Sequence, residues 1–391
     1  MLSGRPLVRS AAAVRESRAP AVRSFIAAPP DAVLISSIAI LVGIGLVMIF
    51  SASSALAYAV HHDATYFLKR QAIWLAVALV LAYAAYRVDY NKLKALSPLL
   101  FIVSVISLIA VLVPHVGLVV NTSRRWLGTG SLAVQPSEFA KLALVLFLAA
   151  KLSSRGERIT SLVRGVGPLC IAIAIVVMLV LKEPDMGTAS LLAIVAFTML
   201  FAAGARLDHL MLILFVTVPV VALELLADPY KRARALAFLN PWKDPQNTGF
   251  HIVQSLLALG SGGIFGVGLG ASRAKFFYLP EQYTDFIYAV LGEELGLIGA
   301  VGVILLFIIF AHRAIRIALS APDRFGFFLT TGCTALIVFQ ALLNIGVVTS
   351  SWPVTGVPLP FISFGGSSLV VCLVAVALIL NVGRHRRVSA R

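Results

Sequence analysis

Residues 286–311 read FIYAVLGEELGLIGAVGVILLFIIFA. The run is long enough to cross a bilayer, which takes about 20 apolar residues. Its only charges are Glu293 and Glu294. An isolated charge in hydrocarbon costs roughly 2.5 kcal/mol or more, so these two acids must face other helices. The stretch therefore predicts a membrane helix inside a bundle. Comparable apolar runs recur along the chain, and we place ten spans at 32–53, 71–86, 97–118, 137–151, 167–182, 186–204, 209–227, 286–311, 328–349 and 364–382. The chain has 391 residues, 60% hydrophobic and 13% charged, more apolar surface than a soluble fold of this size can hide. The fold class expected is an all-α polytopic membrane protein with ten transmembrane helices. Continuous rather than alternating apolar runs argue against a β-barrel.

The expected organisation is a basic tail over 1–31, a membrane domain over 32–382 and a basic tail over 383–391. A large extracytoplasmic loop, 228–285, joins the seventh and eighth spans. The net charge is +15. With both termini in the cytoplasm, and with Lys151 and Lys182 at span ends counted with the adjoining segments, 20 of the 32 Lys and Arg fall in cytoplasmic segments and 11 in outer segments, leaving Lys141 inside a span. That bias is the positive-inside pattern, and it accounts for the charge without nucleic acid. The N-terminal arginines followed by an apolar run and SASSALA resemble a signal peptide, but the run is too long and the basic lead too extended. Cys170, Cys333 and Cys372 all fall in apolar runs and read as small core hydrophobes. No metal-type Cys/His spacing occurs.

Polar residues inside or beside the apolar runs carry the chemical information. Glu138 and Lys141 are three apart on one helix face and can pair, either as a packing device or in a substrate cavity. Glu224, Glu293 and Glu294 also fall in apolar runs. His61, His62 and Asp63 read as a solvated loop rather than a metal site. Arg124, Arg125 and Trp126 suit an anionic headgroup or anchoring at headgroup level. The three prolines of 350–363, SSWPVTGVPLPFIS, forbid a lipid-facing helix, so that backbone must line protein or water.

The richest segment is 241–285. HIVQSLLAL, carrying Gln254 and Ser255, suits an interfacial or re-entrant helix. GSGGIFGVGLGAS follows; it can form an anion nest or a hinge, but it lacks the GK[ST] of a nucleotide loop. Arg273 and Lys275 set positive charge against the topological bias and ask for an anion, either lipid phosphate or a lipid-linked pyrophosphate. Pro280 suits a helix start, which would place Glu281 and Asp285 four apart on one face. A helix N-terminus favours the carboxylate while burial raises its pKa, and an acid between those two effects can serve as a general base. Capping a membrane helix is the plainer alternative.

Several motifs occur in order: PDAVLISSIAILVGIGLVMIFSASS, YFLKRQ, RRWLGTGSLAVQPSEFAKLAL, EPDMGTASLL, NPWKDP with GFHIVQSLLALGSGG, FYLPEQYTDFIYAVLGEELG, and NIGVVTSSWPVTGVPLPFISFGGSSL. Together they resemble the SEDS family (shape, elongation, division and sporulation; the FtsW, RodA and SpoVE proteins) over nearly the whole chain beyond the N-terminal tail. The resemblance implies a ten-span bacterial inner-membrane glycosyltransferase. Such an enzyme polymerises peptidoglycan from lipid II beside a class B penicillin-binding protein and other divisome or elongasome membrane proteins. It puts the family's essential loop acid on Asp285, the acid of its LPE motif on Glu281, and its intramembrane pair on Glu138 and Lys141. SASS, YFLKRQ and GASRAKFFYLPE favour the division type, FtsW, over the elongation type, RodA. Three departures stand out. Tyr283 replaces a common His, Glu183 stands where the family's QPD-x-GTA motif often has Gln, and Thr355 replaces a Lys of some division-type members.

The implied chemistry has Asp285 taking the proton of an acceptor 4-hydroxyl. Arg273, Lys275 and Arg125 offset charge on the departing polyprenyl pyrophosphate. The helix at Gln254 and Ser255 with the glycine-rich turn grooves the lipid chains. A divalent cation, magnesium or manganese, shared with Asp285 is an alternative role for that acid. A lipid II flippase and an inactive scaffold are the rival readings from other classes.

Overall fold

The computed structural model describes residues 29–120, 123–128, 133–227, 229–275 and 279–385. Most of the two expected tails, and the side chain of Glu224, lie outside the described residues. Helices α1 (Ala32–His61), α2 (Tyr66–Arg87) and α3 (Tyr90–Leu112) come first. A short antiparallel ribbon follows, β1 (Leu118–Val120) with β2 (Ser123–Trp126). It is the one departure from an all-helical expectation among the described residues. Then come α4 (Pro136–Arg155), α5 (Gly167–Lys182), α6 (Met186–Ala202), α7 (Leu207–Ala227), α8 (Pro229–Leu236), α9 (Phe250–Gly262), α10 (Ile287–Leu319), α11 (Arg324–Val348) and α12 (Gly366–Arg384).

Among the described residues, seven helices are long and apolar enough to cross a membrane: α1, α2, α3, α5 with its preceding turn, α10, α11 and α12. The other three expected spans coincide with α4, which carries charge; α6, which has 17 residues; and α7. Packing sorts the helices by depth. The apolar window of α12 is 83% buried and that of α11 67%, against 11% for α2. Thus α11 and α12 form the centre, joined by α4, while α2 lies at the rim. Cys333 and Cys372 sit in that centre as expected, and Cys170 is half-buried.

The chain has only 17 acidic residues, and four aspartates cap helices. Asp31 accepts from Leu34 N–H at 3.0 Å, Asp89 from Asn91 at 2.9 Å, Asp185 from Thr188 at 3.0 Å and Asp323 from Gly326 at 2.6 Å. Such caps satisfy N–H groups that a helix start leaves unpaired. Asp31 also receives the fork of Arg313, whose Nε donates at 3.0 Å, which locks the start of α1 to the far part of α10. Asn381 Nδ2 donates to the Ala85 and Val88 carbonyls and pins α12 to the end of α2.

The longest helix is broken within the bundle. Gly296, inside α10, has φ 67° and ψ −168°. The interrupted ladder is completed by the glycine-rich turn. Val267 and Gly268 N–H donate to the Glu293 and Glu294 carbonyls at 3.0 and 3.1 Å, and Leu297 N–H donates to Gly263 at 2.9 Å. Backbone freed inside a membrane must find partners in the protein, and here it does. A Cβ on Gly296 would stand 2.3 Å from the Gly266 nitrogen. Gly296→Ala is therefore expected to lower Tm in detergent. The left-handed backbone alone should contribute about 1–3 kcal/mol. Gly302→Ala, where a Cβ meets nothing within 4 Å, should leave Tm essentially unchanged. Equal melting of the two variants would refute the pairing.

Candidate functional site

Asp285 lies where three chain segments meet. Its backbone carbonyl accepts from Asn344 Nδ2, on α11, at 2.7 Å, and the same amide donates to the Val357 carbonyl at 2.8 Å. The Thr284 carbonyl accepts from Ser363 Oγ at 2.6 Å, and the Tyr283 carbonyl from Phe364 N–H at 2.9 Å. Asp285 Oδ2 is 3.4 Å from the position a Cβ would take on Gly356. The 283–285 stretch is thus laid against the proline-rich 350–365 loop, which is non-helical as its prolines require.

This corrects the expected helix start. α10 begins at Ile287, not at Pro280. Glu281 has φ 52°, so it and Asp285 do not share a helical face. The carbonyls that would have opened the helix are instead held by Ser363, Phe364 and Asn344. Those tertiary bonds outweigh the local signal from Pro280. Glu281 is exposed and accepts from Thr284 Oγ1 at 2.8 Å. Tyr283, at the position where the family often has His, is wedged between Phe67 and Phe364, with ring centroids 4.6 and 5.7 Å away. Burial, then Glu281, pushes its phenol above the ordinary tyrosine value.

The cationic segment is positioned by the two acids of α10. Glu293 accepts the N–H of Arg273 at 2.9 Å and of Ala274 at 3.3 Å, and the Ser272 hydroxyl. Glu294 accepts Ser51 Oγ of α1 at 2.6 Å. Both intramembrane acids thus clamp the backbone before Lys275. Gln282 Nε2 completes the clamp, donating to the Ala52 and Lys275 carbonyls at 2.9 Å each. Arg273 is exposed; Lys275 is buried, with Nζ on the Gly270 carbonyl. On α9, Ser255 Oγ donates to the Val348 carbonyl at 2.7 Å and is fully buried, a packing contact with α11 rather than a groove-lining hydroxyl. Gln254 is half-buried.

Arg125, on β2, turns towards the link between α5 and α6. Its Nε donates to the Glu183 carbonyl at 2.9 Å and its Nη2 to the Pro184 carbonyl at 2.5 Å. Glu183 itself is fully buried, and burial together with neighbouring Asp185 pushes its carboxyl up to about 8, against the pull of Arg125. Deeper, Lys141 Nζ is 2.7 Å from Glu138 and 2.9 Å from Gln340 Oε1, with both charged groups buried. Gln340 continues to the Pro358 carbonyl at 3.0 Å. The pair therefore underpins the 350–365 loop that carries the Asp285 contacts.

The structure ties the 273–275 segment to the 281–285 stretch through Gln282, which holds the Lys275 carbonyl. It connects Glu138 and Lys141 to the 350–365 loop through Gln340. Arg125 lies at the α5–α6 link, and Gly187, in the first turn of α6, abuts Thr355. Sequence reasoning missed Asn344 and Gln340, although two amides four apart in the apolar 328–349 run were a visible signal. It also passed over His251, whose ring stacks on Phe286, beside Asp285, at 5.7 Å. Asp63 is bound by Lys69 and Thr65, which hold its carboxyl well below the usual range, in keeping with a structural turn. Among the described residues no group of three His, Cys, Asp or Glu side chains is arranged to hold a metal ion.

Buried ionisable groups, a glycine-rich turn that completes a broken helix and a polar junction at one end of the bundle define a multi-pass membrane protein with a built polar site. The FtsW/RodA/SpoVE family model, described as cell cycle protein, matches residues 32–388. The chain belongs to that family. It is 44% identical over 358 residues to stage V sporulation protein E of Bacillus subtilis, covering 92% of this chain and 98% of that protein. It is 43% identical over 360 residues to the probable peptidoglycan glycosyltransferase FtsW of Trichlorobacter lovleyi, covering 92% and 94%. Among solved structures it resembles a chain of a peptidoglycan synthase complex that coordinates polymerization and crosslinking, with TM-score 0.75, 30% identity and 91% and 98% coverage. It also resembles the rod shape determining protein RodA of Thermus thermophilus, with TM-score 0.68, 29% identity and 92% and 98% coverage.

Removing one partner of a buried ion pair leaves the other charge uncompensated, at about 3–5 kcal/mol. Lys141→Met should therefore strongly destabilise the protein, and Glu138→Gln in the same chain should recover most of the lost Tm. A double variant no more stable than Lys141→Met would refute the pairing.

Proposed function

We propose that the chain is a peptidoglycan glycosyltransferase of the bacterial cytoplasmic membrane, joining lipid II into glycan strands during septal wall synthesis. The observation that carries this reading is the position of Asp285. The acid that the family resemblance marks stands at a polar junction, at the end of the bundle opposite Asp31, Arg313 and His385. The bias of basic residues towards that opposite end supports an extracytoplasmic active face and cytoplasmic termini.

In this reading Asp285 takes the proton from the acceptor 4-hydroxyl of lipid II. The acceptor oxygen attacks the anomeric carbon of the donor glycan. The bond from that carbon to the pyrophosphate breaks, and polyprenyl pyrophosphate leaves with the electron pair. Direct displacement turns an α-linked diphosphate into a β-linked chain without a covalent enzyme intermediate. Arg273 is held outward by the Glu293 clamp, where it can meet the departing pyrophosphate; Lys275 adds positive charge behind it. Arg125 serves the site through the α5–α6 link rather than as a clamp on phosphate, because its guanidinium already holds two carbonyls. The lipid chains remain in the membrane beside α9 and the glycine-rich turn.

The partner is a class B penicillin-binding protein that cross-links the product. The likeness to a chain of a peptidoglycan synthase complex supports this pairing. The relatives named FtsW favour division over elongation.

The test uses purified protein, its transpeptidase partner and lipid II in detergent. Wild type should make glycan strands, and Asp285→Asn should lower the rate by about 100-fold or more. Unchanged rate and strand length in that variant would remove the base assignment. Lipid II transport across liposomes, with no polymer in detergent, would replace the polymerase by a flippase.

A further inference from the structure

The link between α5 and α6, Glu183-Pro184-Asp185, holds a carboxyl group that the proposed mechanism does not use. Asp185 is engaged: one oxygen caps α6 at Thr188, and the other is 3.4 Å from Gln135 Nε2. Glu183 is different. Its side chain is fully buried, and neither carboxyl oxygen has a hydrogen-bond partner among the described residues. Arg125 does not satisfy it, since that guanidinium donates to the backbone carbonyls of Glu183 and Pro184.

A second orphan lies on the neighbouring loop. Thr355 Oγ1 is buried and also lacks a partner among the described residues. The two segments touch: a Cβ on Gly187 would come within 2.4 Å of the Thr355 carbonyl oxygen and 2.9 Å of Thr355 Cβ. Gly356, the next residue, abuts Asp285 Oδ2. Thr355 therefore joins the start of α6, four residues after Glu183, to the stretch of loop that abuts the proposed base. Buried polar atoms in native proteins are nearly always hydrogen-bonded, so orphans beside a site point to a ligand that supplies the missing partners.

The chemistry of that ligand follows from the charges. The groups acting on Glu183 are Asp185 in its own turn and Arg125 on β2. On α4, Glu138 and Lys141 are paired with each other, and Gln135 adds no charge. A second carboxylate beside Asp185, buried and without a donor, is strongly disfavoured, so the neutral acid is the stable form. A neutral acid and a threonine hydroxyl each offer one donor and an acceptor. That set matches uncharged hydroxyl groups, which also both donate and accept, whereas an ionised phosphate oxygen only accepts and would leave the acceptors unpaired.

We propose that Glu183 and Thr355 form a subsite that hydrogen-bonds sugar hydroxyls of the lipid-linked substrate, holding the saccharide towards Asp285. The pyrophosphate is left to the Arg273 side of the site. This rests on the polymerase reading and deepens it by assigning the saccharide a binding surface. Loss of the Glu183 proton removes the donor and introduces repulsion, so affinity falls as pH rises through the range near 8 where this carboxyl titrates.

The experiment measures KM and kcat for lipid II from about pH 6 to about pH 10, using the full chain with its transpeptidase partner. For wild type, KM rises on the alkaline side while kcat changes little. Glu183→Ala raises KM about tenfold at neutral pH, and Glu183→Gln, which keeps a neutral donor and acceptor, restores it to within about twofold and removes the alkaline rise. Thr355→Val raises KM about fivefold at every pH. An alkaline rise that persists in Glu183→Gln overturns the assignment, as does a folded Glu183→Gln that binds as poorly as Glu183→Ala. Binding of dansylated lipid II, read without turnover, separates this proposal from the polymerase reading. Binding that weakens at alkaline pH only when Glu183 is present supports the subsite even if no polymer forms. Polymerisation with a flat wild-type KM overturns the subsite and leaves the polymerase standing.

Discussion

A single amide ties the site together. Asn344 Nδ2 donates to the carbonyls of Asp285 and Val357, so one side chain from a central helix holds both the proposed base and the loop facing it. Its setting explains why it matters. Backbone inside a membrane protein must be hydrogen-bonded by the protein itself, and a proline-rich loop cannot do this by forming a helix. Asn344, Gln340 and Ser363 supply the missing partners, and each comes from α11 or the loop itself. The geometry around Asp285 is therefore a product of how irregular backbone is satisfied at depth.

The same requirement governs the acids of the bundle. Glu293 and Glu294 are not stray charges in α10. They meet the N–H and hydroxyl groups of the 272–274 segment and Ser51 of α1. The break at Gly296 lets the glycine-rich turn complete the ladder of α10. Two features that look unfavourable by themselves, a carboxylate pair in hydrocarbon and an interrupted helix, thus stabilise each other. They leave the Arg273 side chain projecting from a fixed backbone.

Much of this was legible in the residues. The apolar runs located every long helix, because a bilayer permits few alternatives, although ends of α1, α3 and α10 fall six to eight residues from the expected bounds. The prolines of 350–363 marked irregular backbone, and the spacing of Glu138 and Lys141 marked a pair that forms at 2.7 Å. The start of α10 was misplaced. Pro280 is a sound local signal, but the carbonyls of 283–285 found stronger partners across the fold. Ser255 was likewise expected in a groove and instead bonds the Val348 carbonyl, because α9 packs on α11.

What the amino-acid order settled alone was the membrane class, the approximate spans and which acids would need partners. Hydrophobic length and the energy of a buried charge are local properties, readable one segment at a time. Which partner each acid finds was decided only by the packed bundle. Glu293 meets a loop about twenty residues away. Asp285 is held by α11. Glu183 is enclosed with no donor at all among the described residues. Those outcomes depend on which helices become neighbours, and no single stretch of chain contains that information.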